Sequence, residues 1–138
     1  TPLPHLEPKI WQEVIDINLT ANYHLIRCFD LLLKNSDAPR AMFVTSGITE
    51  GIFPYWGAYA ASKAGLENLV INYAAENAKT SLRVNLIDPG IVQTRMRAKA
   101  MPGEDGSKYP MPEDITDVFV KLAGADLHET GKKFYVEE

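Results

Sequence analysis

Tyr59 and Lys63 stand four residues apart. On a helix that spacing puts both side chains on one face, with Cβ atoms about 5–6 Å apart. A phenol is a poor acid or base at neutral pH, and a neighbouring ammonium favours its ionised form. The pair would then serve as an acid/base group for an alcohol or a carbonyl oxygen. Taken alone the spacing is weak evidence, because a solvated lysine beside a packing tyrosine produces it too. Ser46 lies 13 residues before Tyr59, and Pro89-Gly90 is followed by Ile91-Val92-Gln93-Thr94. Both segments follow short apolar runs that read as parallel strands, and open α/β sheets place ligands at such strand ends.

Those positions need a scaffold. From Pro8 to about Lys34, Ile10, Trp11, Val14, Ile17, Leu25, Ile26, Phe29, Leu32 and Leu33 recur at spacings of three and four. They predict one amphipathic helix, or two end to end, with that stripe facing a core. Pro8 suits a first helical position, and Asn35-Ser36-Asp37-Ala38-Pro39 ends the run. Ala41 to Thr45 reads as a strand, and Trp56 or Gly57 to Ala78 as a second helix. That helix carries Leu66, Leu69, Val70, Tyr73 and Ala74 on one side and small residues on another. Leu82 to Ile87 reads as a buried strand, while 91–112 has no apolar period and is expected to be a long irregular loop. Pro112, Glu113 and Asp114 open a third helix carrying Ile115, Val118, Phe119 and Leu122 inward to a stop at Gly124, and Lys133 to Val136 forms a last strand. Alternating helices and strands predict an α/β fold with a parallel sheet of three strands, the first strand left as an open edge.

Composition narrows the function. The 138 residues carry 14 Lys+Arg against 18 Asp+Glu, a net charge of −4 that argues against a nucleic-acid partner. No run is long and apolar enough for a membrane span. Cys28 is the single cysteine, which excludes an intrachain disulfide and fits a reducing, cytoplasmic setting. On an apolar helix stripe it reads as a small core residue. His5, His24 and His128 have no ligand spacing, so no metal site is expected. A serine hydrolase built on Ser46 is disfavoured for the same reason, since no histidine is placed to act as its base.

Five blocks taken together resemble the short-chain dehydrogenase/reductase family: Val14-Ile15-Asp16-Ile17-Asn18-Leu19, Phe43-Val44-Thr45-Ser46-Gly47, Tyr59-Ala60-Ala61-Ser62-Lys63, Leu82-Arg83-Val84-Asn85 and Pro89-Gly90-Ile91-Val92-Gln93-Thr94. Residues 56–63 and 96–102 are most similar to one bacterial branch of it. The resemblance implies the C-terminal part of a doubly wound, Rossmann-like sheet. Residues 1–138 would be the catalytic portion of a single domain, without its N-terminal nucleotide-binding half. It implies Tyr59 as proton donor or acceptor, Lys63 as the group that favours its phenolate and holds the nicotinamide ribose, and Ser46 as a hydrogen-bond partner of the reacting oxygen. Asn18 would hold a water that continues the proton relay. Tyr59, Lys63, Pro89, Gly90, Val92 and Thr94 would bind the cofactor, with the Val92 main chain and the Thr94 hydroxyl on the carboxamide.

The implied cofactor is NAD or NADP, with NADP favoured, although the discriminating side chains lie outside this chain. The substrate would be a small alcohol or carbonyl compound, and a homodimer or homotetramer would form through the two long helices. Arg95, Arg97 and Lys99 form a basic cluster that would face cofactor phosphates or an acidic substrate, or else be a solvated loop. The alternative to an enzyme is a truncated, non-catalytic module derived from the family that pairs through its helices.

Overall fold

The computed structural model describes residues 1–136. Three parallel strands, β1 (Arg40–Val44), β2 (Arg83–Asp88) and β3 (Lys133–Tyr135), form one sheet in the order β1-β2-β3. Val44 pairs with Ile87, and Asp88 with Tyr135, so the strands end side by side. Helices lie on both faces, which makes the expected three-stranded α/β fold, and among the described residues β1 has a strand neighbour on one side only.

Side-chain alternation along the strands divides the core. Phe43, Val84 and Leu86 face helix α3 (Gly57–Glu76) and pack with its Leu66, Val70, Tyr73 and Ala74. On the opposite face Met42, Ile87 and Phe134 meet Val118, Phe119 and Leu122 of helix α5 (Thr116–Ala123). Each fully buried aliphatic side chain contributes roughly 1.5–3 kcal/mol. The buried polar side chain of Asn85 is satisfied by the chain leading into β3: its Nδ2 donates to Glu129 O at 2.8 Å, and its Oδ1 accepts from Lys132 N at 3.0 Å.

The first helical segment is α1 (Pro8–Ile15), a π-helical turn over Asp16–Thr20, and α2 (Ala21–Lys34), joined without a break in helical backbone. Its stripe is less buried than the periodicity predicts. Leu19, Ile26 and Leu33 pack against the core, but Ile10, Trp11, Ile17, Leu25, Phe29 and Leu32 are exposed. Cys28 is exposed as well, which corrects its reading as a core residue. The physical reason is that a 3.6-residue period marks a face as apolar without fixing what lies against it: Leu19, Ile26 and Leu33 meet the core, and no described element covers the rest of the stripe.

The segment 91–112 is also more ordered than its lack of period predicts. Thr94 caps a short helix α4 (Arg95–Ala100), and Asp105 caps a 3₁₀ turn over Gly106–Lys108. Gln93 N donates to Pro110 O at 2.9 Å, drawing the two ends of the segment together. Caps and single ion pairs are local side-chain devices that apolar periodicity does not register.

Candidate active site

Tyr59 and Lys63 lie on the first two turns of α3, with Lys63 Nζ 5.8 Å from the Tyr59 ring centroid. The Lys63 ammonium donates to Val44 O at 3.0 Å, fastening this part of the helix to the C-terminal end of β1. Burial holds the Lys63 pKa below its ordinary value. The half-buried Tyr59 packs edge-on against Trp56, ring centroids 6.0 Å apart.

Ser46 follows that strand end in an extended conformation, and its Oγ accepts from Ile48 N at 3.3 Å, capping a 3₁₀ turn over Gly47–Thr49. This turn packs against α3. Ser46 and Tyr59 are therefore brought to one end of the sheet by neighbouring elements, without a direct hydrogen bond between them among the described residues. Asn18 sits inside the π turn. Its Nδ2 donates to Ser62 Oγ at 3.1 Å, and that hydroxyl donates to Tyr59 O at 2.7 Å, so Asn18 meets the helical turn of Tyr59 rather than Lys63 itself. The Asn18 carbonyl accepts from Asn22 Nδ2 at 2.9 Å.

Beyond β2, buried Asp88 accepts from Gly90 N at 3.0 Å. A methyl group placed on Gly47 would lie 3.4 Å from Asp88 Oδ2, so the segments leaving β1 and β2 adjoin. Gly90 has φ +67°, and nothing lies within 4 Å of where its Cβ would be. That combination leaves open space against the backbone after Pro89, into which a flat ring can approach. Val92 is buried. The Thr94 Oγ accepts from Arg97 N at 3.1 Å as the cap of α4, leaving its hydroxyl proton free to donate.

Of the basic cluster, Arg97 is engaged within the loop. Its Nε and Nη2 meet the Glu104 carboxylate at 2.6 and 2.7 Å, and the Tyr109 hydroxyl donates to the same carboxylate at 2.7 Å. The Arg97 guanidinium, followed by the Tyr109 hydroxyl, holds the Glu104 pKa down at about 2. The described residues contain no group of three or more His, Cys, Asp or Glu side chains placed to hold a metal. No described helix is long and apolar enough to cross a membrane.

One cluster beside this end of the sheet is not apparent from the motifs. Glu67, one helical turn beyond Lys63, accepts from Thr45 Oγ1 at 2.6 Å, Thr49 Oγ1 at 2.9 Å and Lys133 Nζ at 3.0 Å. Lys133 also pairs with Glu50 at 2.7 Å, and the Tyr135 hydroxyl donates to Glu50 at 2.6 Å. The available signal was the continuation of the four-residue spacing from Tyr59 through Lys63 to Glu67.

The residues present fit the nicotinamide end of a dinucleotide. Lys63 retains two ammonium protons beyond the one on Val44 O, and the Gly90 backbone is uncovered. Comparison with known proteins bears on the family and the fold. The family model described as short chain dehydrogenase matches residues 1–105. The chain is 37% identical over 134 residues to the Escherichia coli (strain K12) protein described as uncharacterized oxidoreductase YciK, covering 96% of this chain and 53% of that protein. It superposes with a TM-score of 0.95 on a short chain dehydrogenase from Salmonella enterica serovar Typhi, at 38% identity, over 99% of this chain and 57% of that one. A short chain dehydrogenase from Escherichia coli CFT073, solved in complex with NADPH, superposes with a TM-score of 0.93 at 37% identity, with the same coverage. The chain thus spans about half the length of these relatives. A parallel α/β sheet with these residues at its strand ends, matched in sequence and in shape along nearly its whole extent, places the chain in the short-chain dehydrogenase/reductase family, beside the YciK-like oxidoreductases.

Proposed function

We propose that residues 1–138 form the C-terminal catalytic portion of a single Rossmann-like domain in an NAD(P)-dependent dehydrogenase or reductase acting on an alcohol/carbonyl pair. The observation that carries this reading is the Lys63 bond to Val44 O, which holds the Tyr59–Lys63 turn against the strand end from which Ser46 emerges. A bound nicotinamide dinucleotide supplies or accepts the hydride. The NADPH in the similar Escherichia coli CFT073 structure supports NADP as the form used.

In this reading the Tyr59 hydroxyl gives a proton to, or takes one from, the substrate oxygen. Lys63 favours the phenolate by its positive charge and keeps two donors for ribose hydroxyls. Ser46 donates to the same substrate oxygen, and its stabilisation grows as negative charge develops there. Asn18 would hold, on its backbone carbonyl, a water that continues the proton relay past Lys63. Pro89, Gly90, Val92 and Thr94 line the nicotinamide position, with the Val92 main chain and Thr94 hydroxyl available to its carboxamide.

Tyr59→Phe in the intact protein is expected to lower kcat by at least about 10²-fold, the lower end of a general acid/base contribution. NADPH binding, followed by quenching of nucleotide fluorescence, should stay within about twofold, because only one hydroxyl is removed. Turnover of a panel of carbonyl compounds by the Tyr59→Phe protein at the parental rate would overturn the assignment.

A non-catalytic helix-pairing module is favoured by a different observation, the exposure of Leu25, Phe29 and Leu32 on α2. The same surface would serve a homodimer or homotetramer. Loss of turnover in Tyr59→Phe decides for the enzyme, whether or not the helices also pair.

A further inference from the structure

We propose that Glu67 is a positioning residue that sets Ser46 against Tyr59 and Lys63, with Lys133 as its counter-charge. The inference rests on the catalytic reading above and concerns groups outside the Ser46, Tyr59 and Lys63 set. One carboxylate oxygen, Glu67 Oε1, collects three donors from three different elements: Thr45 at the end of β1, Thr49 in the 3₁₀ turn, and Lys133 at the start of β3. Thr45 immediately precedes Ser46, and Thr49 closes the turn that Ser46 caps. The two hydroxyls therefore grip the chain on either side of Ser46.

Glu67 lies one turn beyond Lys63 and two beyond Tyr59, along the same line of α3. A rigid helix thus carries the proton-transfer pair at one point and the anchor for Ser46 at another. A hydroxyl has a single proton, and the ionised oxygen at 2.9 Å is a stronger acceptor for Thr49 than the Ser46 carbonyl at 3.1 Å. The Glu67 and Lys133 side chains are only 20% and 15% exposed, so removing Lys133 leaves the Glu67 charge without its cation in a confined place, whereas removing Glu67 leaves Lys133 paired with Glu50. Burial alone would raise the Glu67 pKa, but hydrogen bonds from Thr45, Lys133 and Thr49 outweigh it and hold the group below its ordinary value. The anchor is therefore an anion at neutral pH. Glu50, the remaining acidic partner of Lys133, is half-exposed, and the Thr45 and Thr49 hydroxyls donate to Glu67 rather than to it; Lys133 also donates to Thr49 Oγ1 at 3.2 Å.

Two measurements on the intact protein test this. Hydrogen exchange of the amides at 47–50 should accelerate at least about tenfold in Glu67→Ala, with amides of α3 near Val70 unchanged. Thr49→Val, which keeps the shape and removes one donor, should give a smaller acceleration. A turn that exchanges at the parental rate in both variants would overturn the proposal without reference to any reaction. The second measurement is a double-mutant cycle on kcat, with NADPH and a panel of carbonyl compounds, using whichever the parent reduces. Misplacing a reacting group by about 1 Å can cost about 10²-fold, so Glu67→Ala should lower kcat by that order with little change in KM for NADPH. Ser46→Ala should then cost several-fold less in the Glu67→Ala background than in the parent, and Glu67→Gln, which keeps an acceptor, should recover part of the loss. Equal costs of Ser46→Ala in the two backgrounds would reduce Glu67 to a stabilising residue and sink the positioning role alone. Parental turnover in both Ser46→Ala and Tyr59→Phe would instead remove the catalytic reading, and the role of Glu67 with it.

Discussion

Helices α2 and α3 both carry apolar residues at helical spacing, yet they serve opposite purposes in the structure. Helix α3 sinks Leu66, Val70, Tyr73 and Ala74 into the sheet, at 6% exposure or less. Helix α2 buries Ile26 and Leu33 only partly, and leaves Leu25, Phe29, Leu31 and Leu32 at 50–74%. The difference teaches that the helix bearing Tyr59, Lys63 and Glu67 is also the better anchored one. Proton transfer depends on placement within fractions of an ångström, and a helix locked by a close-packed core supplies that placement.

The sharpest way to break this contrast is to truncate one side chain from each helix. Leu66→Ala is expected to cost about 2–5 kcal/mol, the range for emptying a buried leucine site. Leu31→Ala, at 74% exposure, should stay within about 0.5 kcal/mol. Urea unfolding of the two variants measures both, and similar losses would mean that α2 is buried in the protein in solution.

A smaller effect probes the link between the two helices. The Tyr73 hydroxyl donates to Asp30 Oδ1 at 2.8 Å, and Lys34 pairs with the other oxygen of that carboxylate at 2.9 Å. Lys34 and then Tyr73 hold the Asp30 pKa below its ordinary value. A depressed carboxylate adds stability above its unfolded pKa and loses it as pH falls through the folded one. Tyr73→Phe should therefore cost about 0.5–1.5 kcal/mol at pH 7. The gap between variant and parent should narrow as pH falls below the ordinary aspartate range, which unfolding curves at pH 7 and in acid would reveal.

The least stability is at stake in the 91–112 segment, remote from both helical cores. The Glu104 pKa of about 2 keeps its pair with Arg97 intact at neutral pH, and the pair opens only as pH falls toward that value. Glu104→Gln should leave global unfolding within about 0.5 kcal/mol, as expected of an exposed site. It should increase proteolytic cutting between 95 and 109 at pH 7, and unchanged cutting would show that the caps alone hold the segment.

The legible parts of this molecule were those with short-range signals. Pro8, Gly124 and the apolar runs marked helices and strands within a few residues of their observed ends, because propensity and side-chain period act locally. Tyr59 and Lys63 were readable for the same reason, a helical pair being defined by its own spacing. Order in 91–112 escaped because Thr94, Asp105 and the Arg97–Glu104 pair act singly rather than periodically.

What the sequence by itself determined is the identity of the candidate chemical groups and the elements that carry them: a phenol and an ammonium on one helix, a hydroxyl after one strand, a glycine turn after the next. Tertiary structure alone decided how far each amphipathic face is buried, since a 3.6-residue period states that a face is apolar but not what lies against it. It also decided the ring of donors around Glu67. Thr45 and Lys133 stand 22 and 66 residues away along the chain, and only the parallel pairing of β1, β2 and β3 brings them to one carboxylate oxygen.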